Sequence, residues 1–203
     1  MIDNLIKFES QKKEVASFMK RLYVRGLTSV SGGNISLHLD NNLFCITSSS
    51  TDKSLLTAKE IAVVTLKGEN LTPHLKLSIE SELHRLILLK REDVKAVIHA
   101  HPIYTTALSA TSCPININLS GEFKSLLKTI VKVPYKKMGS IELAVSVSDA
   151  LKDSDVAVME NHGIVAVGKT LFEAFEKIEA SENCAKMTFI TENLTRWKIN
   201  EIF

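Results

Sequence analysis

The sequence predicts a layered α/β fold built on a mixed sheet. Helix-like and strand-like stretches alternate along the chain, and hairpins interrupt that alternation, which favours a mixed sheet over a doubly wound parallel one. At 203 residues the chain fits one domain, spanning 1–203, and is long enough to bury a substantial core.

The elements follow in order. Residues 9–25 form an amphipathic helix, with Val15, Phe18, Met19 and Leu22 on one face and Lys12, Lys13, Lys20 and Arg21 on the other. Gly26 reads as its left-handed cap. Ile35, Leu37 and Leu39 alternate as a strand, residues 40–42 turn, and residues 43–47 return as the hairpin partner. Residues 57–60 (TAKE) carry a capping-box pattern, 61–66 read as a strand and 67–70 as a turn. A helix then opens at Ser78, the expected N-cap. Glu80 and Glu82 lie in its first turn, where the helix dipole favours acids, and Leu83, Leu86 and Ile87 recur at helical spacing.

Residues 95–101 (KAVIHAH) read as a short buried strand that Pro102 ends, because proline cannot donate to a ladder. Residues 103–111 look helical, and within the less regular stretch 113–132 a helix fits 122–130. Residues 131–135 read as an edge strand, and 139–142 cap a helix that runs through Leu151. Two apolar runs, 156–159 and 164–167, are joined by a hairpin turn that places His162 at a defined, exposed position. Residues 170–173 (TLFE) form a second capping box, opening a long helix with Phe172, Phe175, Ile178 and Ala185 on its apolar side. The end of the chain carries Trp197, Ile199, Ile202 and Phe203, apolar enough to pack on a neighbour.

Composition excludes several classes. An apolar content of 45% with 24% charged residues is ordinary for a soluble globular protein. A net charge of +2, with no basic run, argues against a nucleic-acid surface, and no apolar stretch reaches the length of a membrane span. The N-terminus lacks a basic start followed by an apolar run, so no secretion signal is expected. Cys45, Cys113 and Cys184 show no paired spacing, which fits a reducing cytoplasm.

The most chemically pointed feature is the pair His99 and His101. Residues two apart on a strand project to one face, so two imidazoles can aim at one point and offer half of a zinc site. Two buried, hydrogen-bonded histidines are the plainer alternative, and a third ligand would decide. His162 could complete a three-imidazole site, leaving a coordination position open as in catalytic rather than structural zinc. Glu80 would supply a neighbouring carboxylate. Glu80 and His84 lie four apart and share a helix face, so His84 is either hydrogen-bonded beside the site or a plain helix residue. His38 and His74 are assigned no role. Residues 29–36 (SVSGGNIS) are either a tight turn or a loop whose backbone N–H groups meet an anion. Residues 47–51 (TSSST) are either a solvated loop or a phosphate cradle.

Taken together, these residues resemble the class II aldolase family, the group that includes the fuculose-1-phosphate aldolases, the ribulose-5-phosphate 4-epimerases and the adducin head. The matching motifs are 26–36 (GLTSVSGGNIS), 46–50 (ITSSS), Ser78, Glu80 and His84 in one helix opening, His99-Ala100-His101, and Asn161-His162-Gly163. They occur in the family's order, from about residue 9 to residue 190.

The resemblance implies a three-layer α/β/α fold with a central mixed, largely antiparallel sheet. It implies that His99, His101 and His162 ligate Zn2+ and that Glu80 is the catalytic acid/base. Gly33, Asn34, Ser49, Ser50 and Ser78 would bind the phosphate of a sugar phosphate, in a cytoplasmic homotetramer with active sites between subunits. The implied reaction is aldol cleavage of a small ketose phosphate, in which zinc stabilises an enediolate and Glu80 protonates it. Backbone amides and hydroxyls can hold the phosphate without a lysine or arginine in these loops.

Three departures bear on the substrate. The family's aldolases place two serines before the glutamate, where this chain has Ser78 and Ile79. They use a tyrosine from the neighbouring subunit, whereas residues 114–118 here hold asparagines and no tyrosine, leaving Tyr104 and Tyr135 as the available phenols. The family's C-terminal tyrosine is also missing. A methylthioribulose-phosphate dehydratase, a sugar-acid phosphate decarboxylase or a 4-epimerase would use the same site, although the epimerases carry an aspartate where Glu80 stands. A non-catalytic assembly module like the adducin head would need neither the three histidines nor Glu80, which argues against it.

Overall fold

The computed structural model describes residues 7–40 and 42–200, with side chains described through residue 194. Six α-helices lie among them: α1 (Glu9–Val24), α2 (Ser81–Lys90), α3 (Ile103–Ser109), α4 (Gly121–Leu127), α5 (Ile141–Ala150) and α6 (Leu171–Asn200). Seven strands, β1 (Asn34–His38), β2 (Leu43–Thr47), β3 (Ile61–Thr65), β4 (Ala96–Ala100), β5 (Ile130–Val133), β6 (Val156–Met159) and β7 (Gly163–Gly168), form one sheet in the order β3-β2-β1-β4-β7-β6-β5. The sheet is mixed: β5 pairs with β6 in parallel, and the other neighbouring pairs are antiparallel.

Strand alternation divides the interior in two. Ile35, Leu37, Cys45, Ile98, Ile164 and Ala166 project to the face covered by α1, α4 and α6, where Met19, Leu22, Phe175 and Ile178 meet them. Phe44, Ile46, Val97, Val165 and Val167 project to the other face, against Leu83 and Ile87 of α2 and Leu143 and Val147 of α5. A strand buried on both faces cannot alternate apolar with polar, which is why β4 and β7 are apolar almost throughout. Each fully buried Leu or Ile side chain stabilises the fold by about 1.5–3 kcal/mol relative to exposure. Among the described residues no helix is long and apolar enough to cross a membrane.

Local signals are realised with small shifts. Gly26 takes φ +68 after α1, and its amide bonds the Tyr23 carbonyl, as a left-handed cap requires. Thr57 and Glu60 form the reciprocal capping box of a short 3-10 turn, and Ser140 caps α5 by accepting from the Leu143 amide. Three expectations are corrected. Helix α2 begins at Ser81 rather than at Ser78: the Ser78 hydroxyl accepts from the Glu80 amide in a turn that precedes the helix, and Glu80 holds the N-cap position without a side-chain capping bond. Phe172 is 56% exposed, because the core side of α6 is set by Leu171, Ala174, Phe175 and Ile178, a register that turns Phe172 away. His162 stands on a hairpin tip as expected, but its side chain is only 7% exposed, because the ring turns inward against the ends of β4 and β7. The side chains of Trp197 and Ile199, and residues Ile202 and Phe203 entirely, lie outside the described residues.

Candidate active site

The pairing register assembles the site. Asn34 of β1 lies opposite His99 of β4, and His99 lies opposite Val165 of β7, so Asn34 and His99 share the α2 face of the sheet. The same β4–β7 register sets Ala100 beside Ile164 and brings the β6–β7 turn, with His162, next to His101. Glu80 reaches this end of the sheet from the start of α2. The ring centroids of His99 lie 4.5 Å from those of His101 and 4.9 Å from those of His162. One nitrogen from each ring lies within 4.8 Å of the others, close enough for a single metal ion.

Two glycines allow this crowding. A Cβ on Gly163 would lie 2.8 Å from the His101 ring and collide with the Ala100 carbonyl. A Cβ on Gly33 (φ +68) would lie 2.9 Å from the His99 carbonyl and 2.8 Å from the Thr28 hydroxyl.

The electrostatics follow from burial. Desolvation pushes His99 and His101 down to about 3, with His162 adding to the effect on His99 and His99 to that on His101. His162 is also lowered, first by burial, although Glu80 opposes it. The three rings are therefore neutral at ordinary pH and carry lone pairs. The Ile164 carbonyl lies 3.0 Å from His99 Nδ1 and can only accept, so Nδ1 carries the proton and Nε2 is left as a lone pair. That lone pair lies 2.9 Å from His101 Nε2 and 3.2 Å from Glu80 Oε2. Glu80 is 3% exposed; beyond a weak contact from the Gly139 amide its carboxyl oxygens have no hydrogen-bond partner among the described residues, and neither has either nitrogen of His162. Burial raises the Glu80 carboxyl above its usual range, with His162 and the Gly139 amide opposing.

A proton on His101 satisfies at most one of these facing pairs. A divalent cation would satisfy them together, and imidazole nitrogens with a carboxylate suit such an ion. The donor set fits a metal.

Beside this cluster, His84 of α2 is fully buried and pushed down to about 3, first by burial and then by His99. Its Nε2 lies 2.5 Å from Asn34 Oδ1, an acceptor, and its Nδ1 lies 2.7 Å from Ser36 Oγ. Neutral His84 therefore donates to Asn34 and accepts from Ser36, fixing the Asn34 carboxamide at the edge of the cluster. This relay realises the reading of His84 as hydrogen-bonded beside the site.

The three segments read as a phosphate subsite are tied to one another by backbone hydrogen bonds. The Ser49 amide donates to Lys76 O, just before Ser78, and the Lys53 amide donates to Val30 O in the glycine loop that ends at Gly33 and Asn34. Ser50 is exposed and takes φ +59. Tyr104 packs its ring near Phe189 of α6, and Tyr135 is 60% exposed. Sequence reasoning missed Lys53, which is buried among the serines of the 47–51 loop. Nothing in a linear hydroxyl-rich run signals a buried lysine, since lysines are seldom buried.

With this geometry in view, comparison with known proteins is direct. Residues 13–189 match the family described as Class II Aldolase and Adducin N-terminal domain. An L-fuculose phosphate aldolase of Methanococcus maripaludis is 34% identical over 181 residues, covering 89% of this chain and 97% of its own. A 3-oxo-tetronate 4-phosphate decarboxylase of Haemophilus influenzae is 28% identical, covering 89% of this chain and 87% of its own. The structure of an L-fuculose-1-phosphate aldolase from Thermus thermophilus superposes with a TM-score of 0.81 at 26% identity, covering 92% of this chain and 96% of that one. On the length and order of this match, the chain belongs to the class II aldolase and adducin N-terminal domain family.

Proposed function

We propose that this protein is a zinc-dependent aldolase, a carbon–carbon lyase that cleaves a small ketose phosphate. One observation carries the reading: the neutral imidazoles of His99, His101 and His162 converge with the buried carboxylate of Glu80. The relatives named for L-fuculose phosphate cleavage support the substrate class. The whole chain acts as one domain, in a homotetramer with its sites between subunits.

In this reading His99, His101 and His162 hold the cation, which when bound supplies Lewis-acid stabilisation of the negative charge that cleavage leaves on the substrate's carbonyl oxygen. The Ile164 carbonyl keeps the proton of His99 on Nδ1, so Nε2 stays available as a ligand. Glu80, whose proton affinity burial has raised, transfers a proton from a carboxyl oxygen to the carbon left electron-rich by cleavage, and removes it in the synthetic direction. Gly33, Asn34, Ser49, Ser50 and Ser78 hold the phosphate, with Asn34 aimed by His84.

The test combines two variants. Glu80→Gln loses turnover by at least about a hundredfold, the scale of a missing acid/base group, and keeps its metal. His99→Ala loses metal, measured by elemental analysis of the purified protein. Full activity in the first variant, or unchanged metal content in the second, contradicts the proposal. Decarboxylation of a phosphorylated sugar acid is a second reading, favoured by the Haemophilus influenzae relative. Detecting either a released aldehyde or carbon dioxide across a panel of ketose 1-phosphates and sugar-acid phosphates decides between the two.

A further inference from the structure

We propose that Lys53 is the fixed positive charge of the phosphate subsite, held behind the 48–51 loop to offset a phosphate dianion. The inference rests on the sugar-phosphate reading above and names the group that supplies the charge which amides and hydroxyls alone lack.

Lys53 is 2% exposed, yet it forms no ion pair among the described residues. Asp52, its neighbour in sequence, is turned away and accepts from the amide and hydroxyl of Ser54, while Glu60 is bound to Thr57. The Lys53 ammonium donates to Ser48 O at 2.7 Å and to Thr51 Oγ1 at 3.1 Å. An ammonium has three N–H donors, so one remains beyond these two contacts. Burial pushes Lys53 down to about 8, and no neighbouring charge is among the causes.

The surroundings are equally unsatisfied. The hydroxyls of Ser48 and Thr28 are buried and have no partner among the described residues. The Thr28 hydroxyl abuts Gly33, and the Lys53 amide ties its own loop to Val30. A staple for one carbonyl and one hydroxyl could be neutral. A buried cation in the same loop as the idle Ser48 hydroxyl, tied through its own amide to the loop that carries Thr28 and Gly33, is instead suited to an anion.

A lysine whose folded pKa lies below its ordinary 10.5 binds fewer protons folded than unfolded between about 8 and 10.5, so stability rises with pH across that window. At neutral pH the ammonium therefore costs stability in the free protein, and a bound dianion would restore its proton affinity.

The experiment measures inorganic phosphate binding to the metal-loaded full chain by calorimetry, alongside melting temperature, for wild type, Lys53→Met, Lys53→Gln and Lys53→Arg. Losing one charge-assisted contact weakens phosphate by on the order of 10- to 100-fold in Lys53→Met and Lys53→Gln, while Lys53→Arg keeps part of the affinity. The melting temperature of the folded neutral variant stays level or rises, because a buried charge is gone. At pH 8.5 wild type takes up a proton on binding phosphate, and the neutral variants do not. Wild-type phosphate affinity in Lys53→Met or Lys53→Gln overturns the role of Lys53 alone and makes it a structural staple. A wild-type protein that does not bind phosphate overturns this role together with the sugar-phosphate reading beneath it.

Discussion

Ser50 holds a backbone conformation that its side chain disfavours. It takes φ +59, a left-handed position where a Cβ costs roughly 1–2 kcal/mol and where glycine or asparagine is usual. Ser50→Gly should remove that strain and raise stability by up to about 1 kcal/mol, after allowing for the greater freedom of glycine in the unfolded chain. A urea-melt midpoint reads this gain, and a fall in the midpoint contradicts it. If the Ser50 hydroxyl also binds phosphate, KM for the sugar phosphate rises in the same variant while stability improves. Asn161 (φ +54), before His162, needs no such remedy, since asparagine tolerates this region through its own local hydrogen bonds.

At the scale of elements, helix α3 is capped from outside its own sequence. Pro102 occupies the N-cap position and offers no side-chain acceptor, so the first-turn amides of Tyr104 and Thr105, which have no partner within the helix, donate to Glu182 of α6. The Thr105 hydroxyl donates to the same carboxylate. Glu182→Ala should cost about 1–2 kcal/mol in thermal or urea melts, the scale of a lost cap. Glu182→Gln should cost less, because its amide oxygen still accepts. No change in either variant would show that water replaces the carboxylate. Caps within one segment, such as Thr57 with Glu60 and Ser140 with Leu143, were legible because donor and acceptor lie three residues apart. The Glu182 cap spans 77 residues to Thr105 and leaves no local pattern.

Across the whole molecule, an ion network ties both helical layers to the sheet. Asp155, just before β6, accepts from Arg91 after α2 at 2.9 Å and from Lys177 of α6 at 2.8 Å. Burial alone would raise the Asp155 carboxyl, but the hydrogen bonds from Lys177 and Arg91 outweigh it and hold it below its ordinary value. For a carboxyl depressed on folding, the stability is present above the unfolded pKa near 3.8 and fades as pH falls through the folded value. Asp155→Asn should therefore lower stability by about 1 kcal/mol at neutral pH, a modest figure because the carboxylate is partly solvated. The gap between variant and wild type should close only once the pH has fallen well below the depressed folded value, where both side chains are neutral. A gap that persists at low pH would assign the loss to packing. The β5–β6 pair belongs to this scale too: its parallel register needs the crossover through α5, a choice the strand's own residues do not state.

The sequence by itself determined most faces of helices and strands, the caps whose partners lie three residues apart, and the His99–His101 pair, because those features depend on spacing along one segment. Tertiary structure decided what spacing cannot. The β1–β4–β7 register set Asn34 beside His99 and turned His162 inward, the packing of α2 joined His84 to Asn34 and Ser36, and loop closure buried Lys53. The physical reason is burial: desolvation makes the imidazoles neutral, raises the proton affinity of Glu80 and makes a lysine charge costly, and burial is settled only when distant segments pack together.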